Sequence, residues 1–133
     1  MDTNELEYKG NKFSMRWDSM EGILFVEMWG EHKKEDAEEY KNKFFEFAEK
    51  IPQNTPIQIL VDVSKQKKSG DEARRIYTEV SKHPKSGNSA ICGANIFVRV
   101  IAAFIATATG RKNIRCFSKT EDGKKWLKEN ITK

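Results

Sequence analysis

Ile57-Gln-Ile-Leu-Val-Asp-Val63 is the stretch that decides the architecture of this chain. It is too short for a helix of its own and nearly continuous in aliphatic and β-branched side chains. Pro52 and Pro56 precede it, and the polar string Ser64-Lys-Gln-Lys-Lys-Ser-Gly70 follows it. A strand with this pattern belongs inside a sheet covered on both faces, where parallel strands are joined by helical crossovers. The elements on either side should therefore alternate between helix and strand.

Upstream, Glu31 to Lys50 has helical spacing, with Ala37, Tyr40, Phe44, Phe47, Ala48 and Ile51 on one face and charged residues on the other. Before it, Phe13-Ser-Met-Arg-Trp17 alternates apolar with polar, Asp18-Ser-Met-Glu-Gly22 supplies turn residues, and Ile23 to Trp29 is rich in strand formers. These segments predict an antiparallel hairpin whose second strand is broken at Gly30. Residues 1–12 carry no usable periodicity and are expected to be a lead-in, leaving 13–133 as one domain.

Downstream, Ser64–Gly70 reads as a basic loop, and Asp71 to Lys82 as a helix with Ala73, Ile76, Tyr77 and Val80 at helical spacing, capped by Ser69 or Asp71. His83 to Asn88 is a turn by composition, Ser89-Ala-Ile-Cys-Gly93 a small-residue strand, and Ile96 to Thr109 a helix apolar nearly all round. Ile114-Arg-Cys-Phe117 makes a last strand. Ser118 to Ile131 makes a last helix, capped by Thr120, with Trp126, Leu127 and Ile131 facing inward. The expected order is β-β-α-β-α-β-α-β-α: an α/β fold with an N-terminal antiparallel hairpin feeding a mostly parallel five-stranded sheet through right-handed crossovers.

Composition narrows function more than it names it. The chain has 133 residues, 38% hydrophobic and 33% charged, which builds one core without a metal or disulfide and excludes disordered, collagen-like and disulfide-scaffold classes. The acidic polar start lacks the basic and apolar regions of an export signal. The most apolar window, Ile96 to Ala108, is 13 residues long and contains Arg99, well short of a membrane span. With two cysteines, Cys92 and Cys116, in no metal-binding spacing, the expectation is a cytoplasmic protein with no metal and no cofactor. The net charge of +4 divides into −6 over residues 1–62 and +10 over residues 63–133. A basic half can attract phosphate or an anionic lipid surface, or simply complement the acidic half within the fold.

Gly22-Ile-Leu-Phe-Val-Glu-Met-Trp-Gly30 leading into a helix, Ile59-Leu-Val-Asp-Val63, Ser89-Ala-Ile-Cys-Gly93, and Ile114-Arg-Cys-Phe117 before Gly123-Lys-Lys-Trp-Leu127 follow one another in an order that resembles the STAS family. More narrowly, residues 13–131 resemble its stand-alone SpoIIAA-like branch. That resemblance implies a non-catalytic binding module, acting through regulatory protein–protein interaction or by carrying an apolar small molecule. Anti-sigma-antagonist members carry a phosphorylatable serine in an Asp-Ser-Ser-Gly-like string. Here that position reads Lys67-Lys-Ser-Gly70, so Ser69 and Gly70 match while the lysines depart from the pattern. Ser69, with Ser64 nearby, is the candidate regulatory site, and an ordinary helix cap is the alternative. In the Ile96 helix, Ile96, Val100 and Ala103 exceed what the sheet needs. With Phe104 they form a candidate apolar ligand or homodimer surface.

Other constellations carry less. His32 and His83 are expected to be exposed polar residues, and Cys92 and Cys116 small thiols in neighbouring strands. A small cytoplasmic enzyme using one of these four residues is the alternative function. Glu35, Asp36, Glu38 and Glu39 suit the N-terminus of a helix better than a metal. Phosphate-loop glycine spacing is absent. The basic residues of the second half alternate with acids and lack interleaved aromatics, which points away from nucleic acid as a partner.

Overall fold

The computed structural model describes residues 6–52, 56–93, 103 and 114–130. In chain order its elements are β1 (Leu6–Lys9), β2 (Phe13–Asp18), β3 (Ile23–His32), α1 (Lys34–Lys50), β4 (Ile57–Ser69), α2 (Asp71–Ser81), β5 (Ser86–Cys92), β6 (Ile114–Phe117) and α3 (Thr120–Glu129). The strands form one six-stranded sheet in sequential order. β1–β2 and β2–β3 pair antiparallel, and β3–β4, β4–β5 and β5–β6 pair parallel. The α/β class, the hairpin and the parallel remainder agree with the sequence. The count of five strands does not.

The sixth strand is β1, in the segment expected to be an irregular lead-in. Four residues give too little alternation to read, but Leu6 and Tyr8 turn inward and pack against the main core. Several boundaries also differ: β5 begins at Ser86, inside the stretch His83 to Asn88 whose composition reads as a turn. Gly30 does not end β3: at φ +74° it takes a left-handed conformation inside a bulge, and the strand continues to His32. The polar string after Val63 is not a loop but the continuation of β4, paired with β3 through Trp29↔Lys65, Gly30↔Gln66 and His32↔Ser69. Burial of Gln66 between exposed Lys65 and Lys67, and of Ser69 further on, gives this extension its strand character.

Period-two alternation sends side chains to opposite faces of the sheet. Leu24, Val26, Met28, Ile59, Val61 and Val63 join the core under α1, together with Tyr40, Phe44 and Phe47. Ile23, Leu60, Ala90 and Cys92 form a smaller core with Leu127 of α3. Small residues bring α1 and α2 together, Ala37 meeting Ala73 and Ile76. The acidic start of α1 works as the sequence suggests: the Lys33 N–H donates to Asp36 Oδ2 at 2.9 Å, satisfying an end-of-helix donor. The start of α2 differs. Its cap is Gly70, without a side-chain hydrogen bond, so neither Ser69 nor Asp71 caps it. The cap of α3 is Lys119 rather than Thr120. Glu21, in the β2–β3 turn, pairs with Lys124 and Lys128 at 2.5 Å each, so part of the charge division is complementarity within the fold.

Candidate functional site

A cavity of about 110 Å³ lies on the α1/α2 face of the sheet. Met28, Ile59, Val61, Val63, Ile91 and Ile114 supply its floor from four adjacent strands, and Tyr40, Tyr77 and Val80 face them from α1 and α2. Gln66, Ser69, Ser81, Ser86 and Ser89 add polar groups. The strand residues reach it because every second position of β4 points this way, and the extension of β4 carries Gln66 and Ser69 past the apolar run. Among the described residues lining it, none is charged.

The hydrogen bonds around the cavity are mostly closed among themselves. The Gln66 amide donates to Ser69 Oγ at 3.1 Å, and the Ser81 hydroxyl donates to the Thr78 carbonyl at 2.8 Å. The Tyr77 hydroxyl pairs with His32 Nδ1, and His32 Nε2 faces the Lys12 carbonyl at 3.2 Å. A carbonyl only accepts, so Nε2 carries the proton and Nδ1 accepts from Tyr77: a neutral imidazole with both nitrogens used. Burial lowers the pKa of His32, opposed by the charge of Asp36. Burial also pushes the Tyr77 phenol well above its ordinary value, helped by Tyr40 and Asp36.

Tyr40 stands differently. Its ring makes edge contacts with Phe13 at 5.5 Å and Tyr77 at 5.6 Å, and 5% of its surface is exposed. Its hydroxyl makes no hydrogen bond among the described residues, and burial alone raises its pKa. No described side-chain nitrogen or oxygen sealed from open space lacks a partner. The Tyr40 hydroxyl therefore keeps some open space, and Tyr40 is one of the residues lining the cavity.

The residues singled out from sequence fall in several places. Ser69 is buried at the end of β4 and accepts from Gln66, where a kinase has little access. Ser64 is exposed, its hydroxyl donating to Asp62 at 2.8 Å, so a phosphate there would meet a carboxylate. Ile96, Val100 and Phe104 lie outside the described residues, and Ala103 is an exposed helical position. His32 is not the exposed polar residue its sequence suggests but is fully buried. His83 is half-buried against Phe44 and Phe45, its Nδ1 accepting from the Lys85 N–H at 3.0 Å. Cys92 and Cys116 do lie on neighbouring strands. Cys92 is buried, its thiol pushed up to about 11 chiefly by desolvation, and Cys116 is exposed. Tyr40, Tyr77 and Val80 were legible as helix-face residues, but nothing in their spacing showed that they meet across a cavity.

A second hollow, of about 430 Å³, opens on the α3 face beside Arg16, Phe25, Glu27, Asp62, Glu121 and Lys124. Its charges are of both signs. Lys65 pairs with Glu27 at 3.8 Å, and Arg16 lies 4.6 Å over the Phe25 ring. Mixed charges already in contact give a ligand of either sign little advantage. Among the described residues, no group of His, Cys, Asp and Glu is arranged to hold a metal ion, and no helix is long and apolar enough to cross a membrane.

No protein-family model matches the chain, and no curated protein matches it. Among solved structures it is similar to an uncharacterized protein of the DUF3478 family with a SpoIIAA-like fold from Shewanella loihica PV-4. The match has 16% identity, covers 90% of this chain and 98% of that one, and has a TM-score of 0.63. A further solved chain, described as Mglu, is matched at 11% identity over 84% of this chain and 18% of that chain, with a TM-score of 0.38, a level that carries no argument. The fold of this chain is SpoIIAA-like.

Proposed function

We propose that the protein is a non-catalytic SpoIIAA-like module that carries a small apolar molecule in the cavity between the sheet and α1/α2. The cavity itself carries this reading: a hollow with an aliphatic floor and tyrosine walls gains from an apolar occupant, because apolar surface leaves water on binding. Its size suits a ligand near one small ring, since an apolar cavity of about 150 Å³ takes benzene. Carriage is favoured over a switch at Ser69 because that hydroxyl is buried and already accepts a hydrogen bond. A non-catalytic role suits Cys92, whose thiol stays protonated near neutrality, and His32, whose ring nitrogens are both engaged.

The test is native against denaturing mass spectrometry of the purified protein, with binding of a small environment-sensitive dye measured in parallel. The expected result is extra mass lost on denaturation, or dye binding displaced by small apolar molecules. No co-purified molecule together with no dye binding overturns the proposal.

A further inference from the structure

We propose that β1 is a docking edge for a second copy of this chain: the two β1 strands pair antiparallel about a two-fold axis at Tyr8, with Glu7 of each opposite Lys9 of the other. Pairing there does not depend on a ligand in the cavity, whose described lining residues lie on β3 to β6, α1 and α2.

β1 is the outermost strand of the described sheet, with β2 on its inner side. The Gly10 N–H donates to the Phe13 carbonyl at 2.7 Å across the tight β1–β2 turn, which makes Gly10 and Phe13 a hydrogen-bonded pair. Antiparallel ladders alternate bonded and non-bonded pairs, and the register sets Tyr8 opposite Met15 and Leu6 opposite Trp17. Leu6 and Tyr8 therefore turn their main-chain groups toward β2, and Glu7 and Lys9 turn theirs away from it.

The side chains choose the partner. Leu6 and Tyr8 pack on the main core, where the Tyr8 hydroxyl donates to Glu39. Glu7 and Lys9 are exposed on the opposite face. An antiparallel partner keeps like faces together and brings its own outward groups to Glu7 and Lys9. Within β1, pairings centred on Glu7, Tyr8 or Lys9 meet both conditions. The first sets Glu7 against Glu7 and the last Lys9 against Lys9, and like charges directly opposite destabilise a sheet. The pairing centred on Tyr8 sets Glu7 against the partner's Lys9 twice, each pair exchanging two main-chain hydrogen bonds. Charges on an edge strand ordinarily discourage pairing, but alternating in sign they exclude the wrong registers and fit this strand to itself. Beside the axis, Lys43 lies 4.3 Å over the Tyr8 ring and is balanced by Glu46 at 3.1 Å. The same edge is used by both copies, so association closes at a dimer.

The experiment follows sedimentation of the full chain at low salt from about 10 μM to about 1 mM protein, with hydrogen exchange of the β1 amides at both ends of that range. The expected result is a monomer–dimer equilibrium with Kd below about 1 mM. The Glu7 and Lys9 amides should be protected only at high concentration, and those of Leu6 and Tyr8 throughout. Glu7→Lys and Lys9→Glu, both at exposed positions, should each weaken the dimer by about tenfold, since two attractive pairs become repulsive. Mixed in equal amounts, the two variants should associate as tightly as the wild type, because the lysines of one then face the glutamates of the other. No association in this range, a dimer that neither variant weakens, variants that do not recover on mixing, growth beyond a dimer, or Glu7 and Lys9 amides protected at every concentration overturns the proposal.

Discussion

The two faces of the sheet are closed in different ways. Under α1 the covering is aromatic: Tyr40, Phe44 and Phe47 stand on a floor of valine, isoleucine, leucine and methionine, with Phe13 edge-on to Tyr40. Under α3 the helix comes down on almost no side chain. A Cβ at Gly123 would fall inside contact distance of Cys92 Sγ and 3.1 Å from Ala90 Cβ, and Leu127 is the fully buried anchor. Large rings make a deep core but do not tile perfectly, so the aromatic face leaves a hollow beside Tyr40 and Tyr77. Close contact through glycine seats α3 directly on Cys92 and Ala90, but Phe25 remains half-buried beneath Arg16 and Lys124. Among the described residues, the aromatic face therefore holds the cavity, and the α3 face carries a more open hollow lined by charges of both signs beside Phe25 and Leu60.

This contrast can be broken experimentally. Phe44→Ala should give the largest loss, about 3–5 kcal/mol by urea denaturation, because Phe44 is fully buried at the centre of the aromatic cover. A loss below about 1 kcal/mol would mean that the aromatic face is not the principal core. Gly123→Ala should cost about 1–3 kcal/mol through the clash with Cys92, partly offset by the better helix propensity of alanine. Adding Cys92→Ala should recover part of that loss, a coupling that a double-mutant cycle measures. Strict additivity would show that α3 does not rest on Cys92.

The smallest effect should come from acid. His32 and His83 have folded-state pKa values below the ordinary 6.5, both mainly through desolvation, so the unfolded chain binds more protons than the folded one in this range. Stability present above about pH 6.5 is then lost as the pH falls through that value toward the folded pKa values. His32 is the more deeply buried of the two. His32→Gln should therefore remove most of the difference in stability between about pH 7.5 and about pH 5.5, and His83→Gln should remove little. The reverse order would contradict the buried His32–Tyr77 pair.

Much of this framework was legible in the residues. The hairpin from Phe13 to Trp29, the inward face of α1 and the buried strand from Ile57 to Val63 follow from periodicity alone, since local pattern and tertiary burial agree there. The misreadings fall where distant partners decide. Ser64 to Ser69 is polar enough to read as a loop but is held as strand by β3. His32 looks like an exposed residue and becomes buried because Tyr77 and the Lys12 carbonyl satisfy its ring. Tyr40 was legible as a core position. That its hydroxyl has no partner among the described residues depends on three elements meeting, which no spacing within one helix records.

Ligand contact mapped by methyl resonances tests the central claim most directly. Titrating the protein with cyclopentanone should shift the methyls of Ile59, Val61, Val80 and Ile91, which line or border the cavity. Ile23, Leu60 and Leu127, on the far face of the sheet, should stay in place. Shifts concentrated at those three residues, or no saturable shift at all, would contradict a ligand site between the sheet and α1/α2.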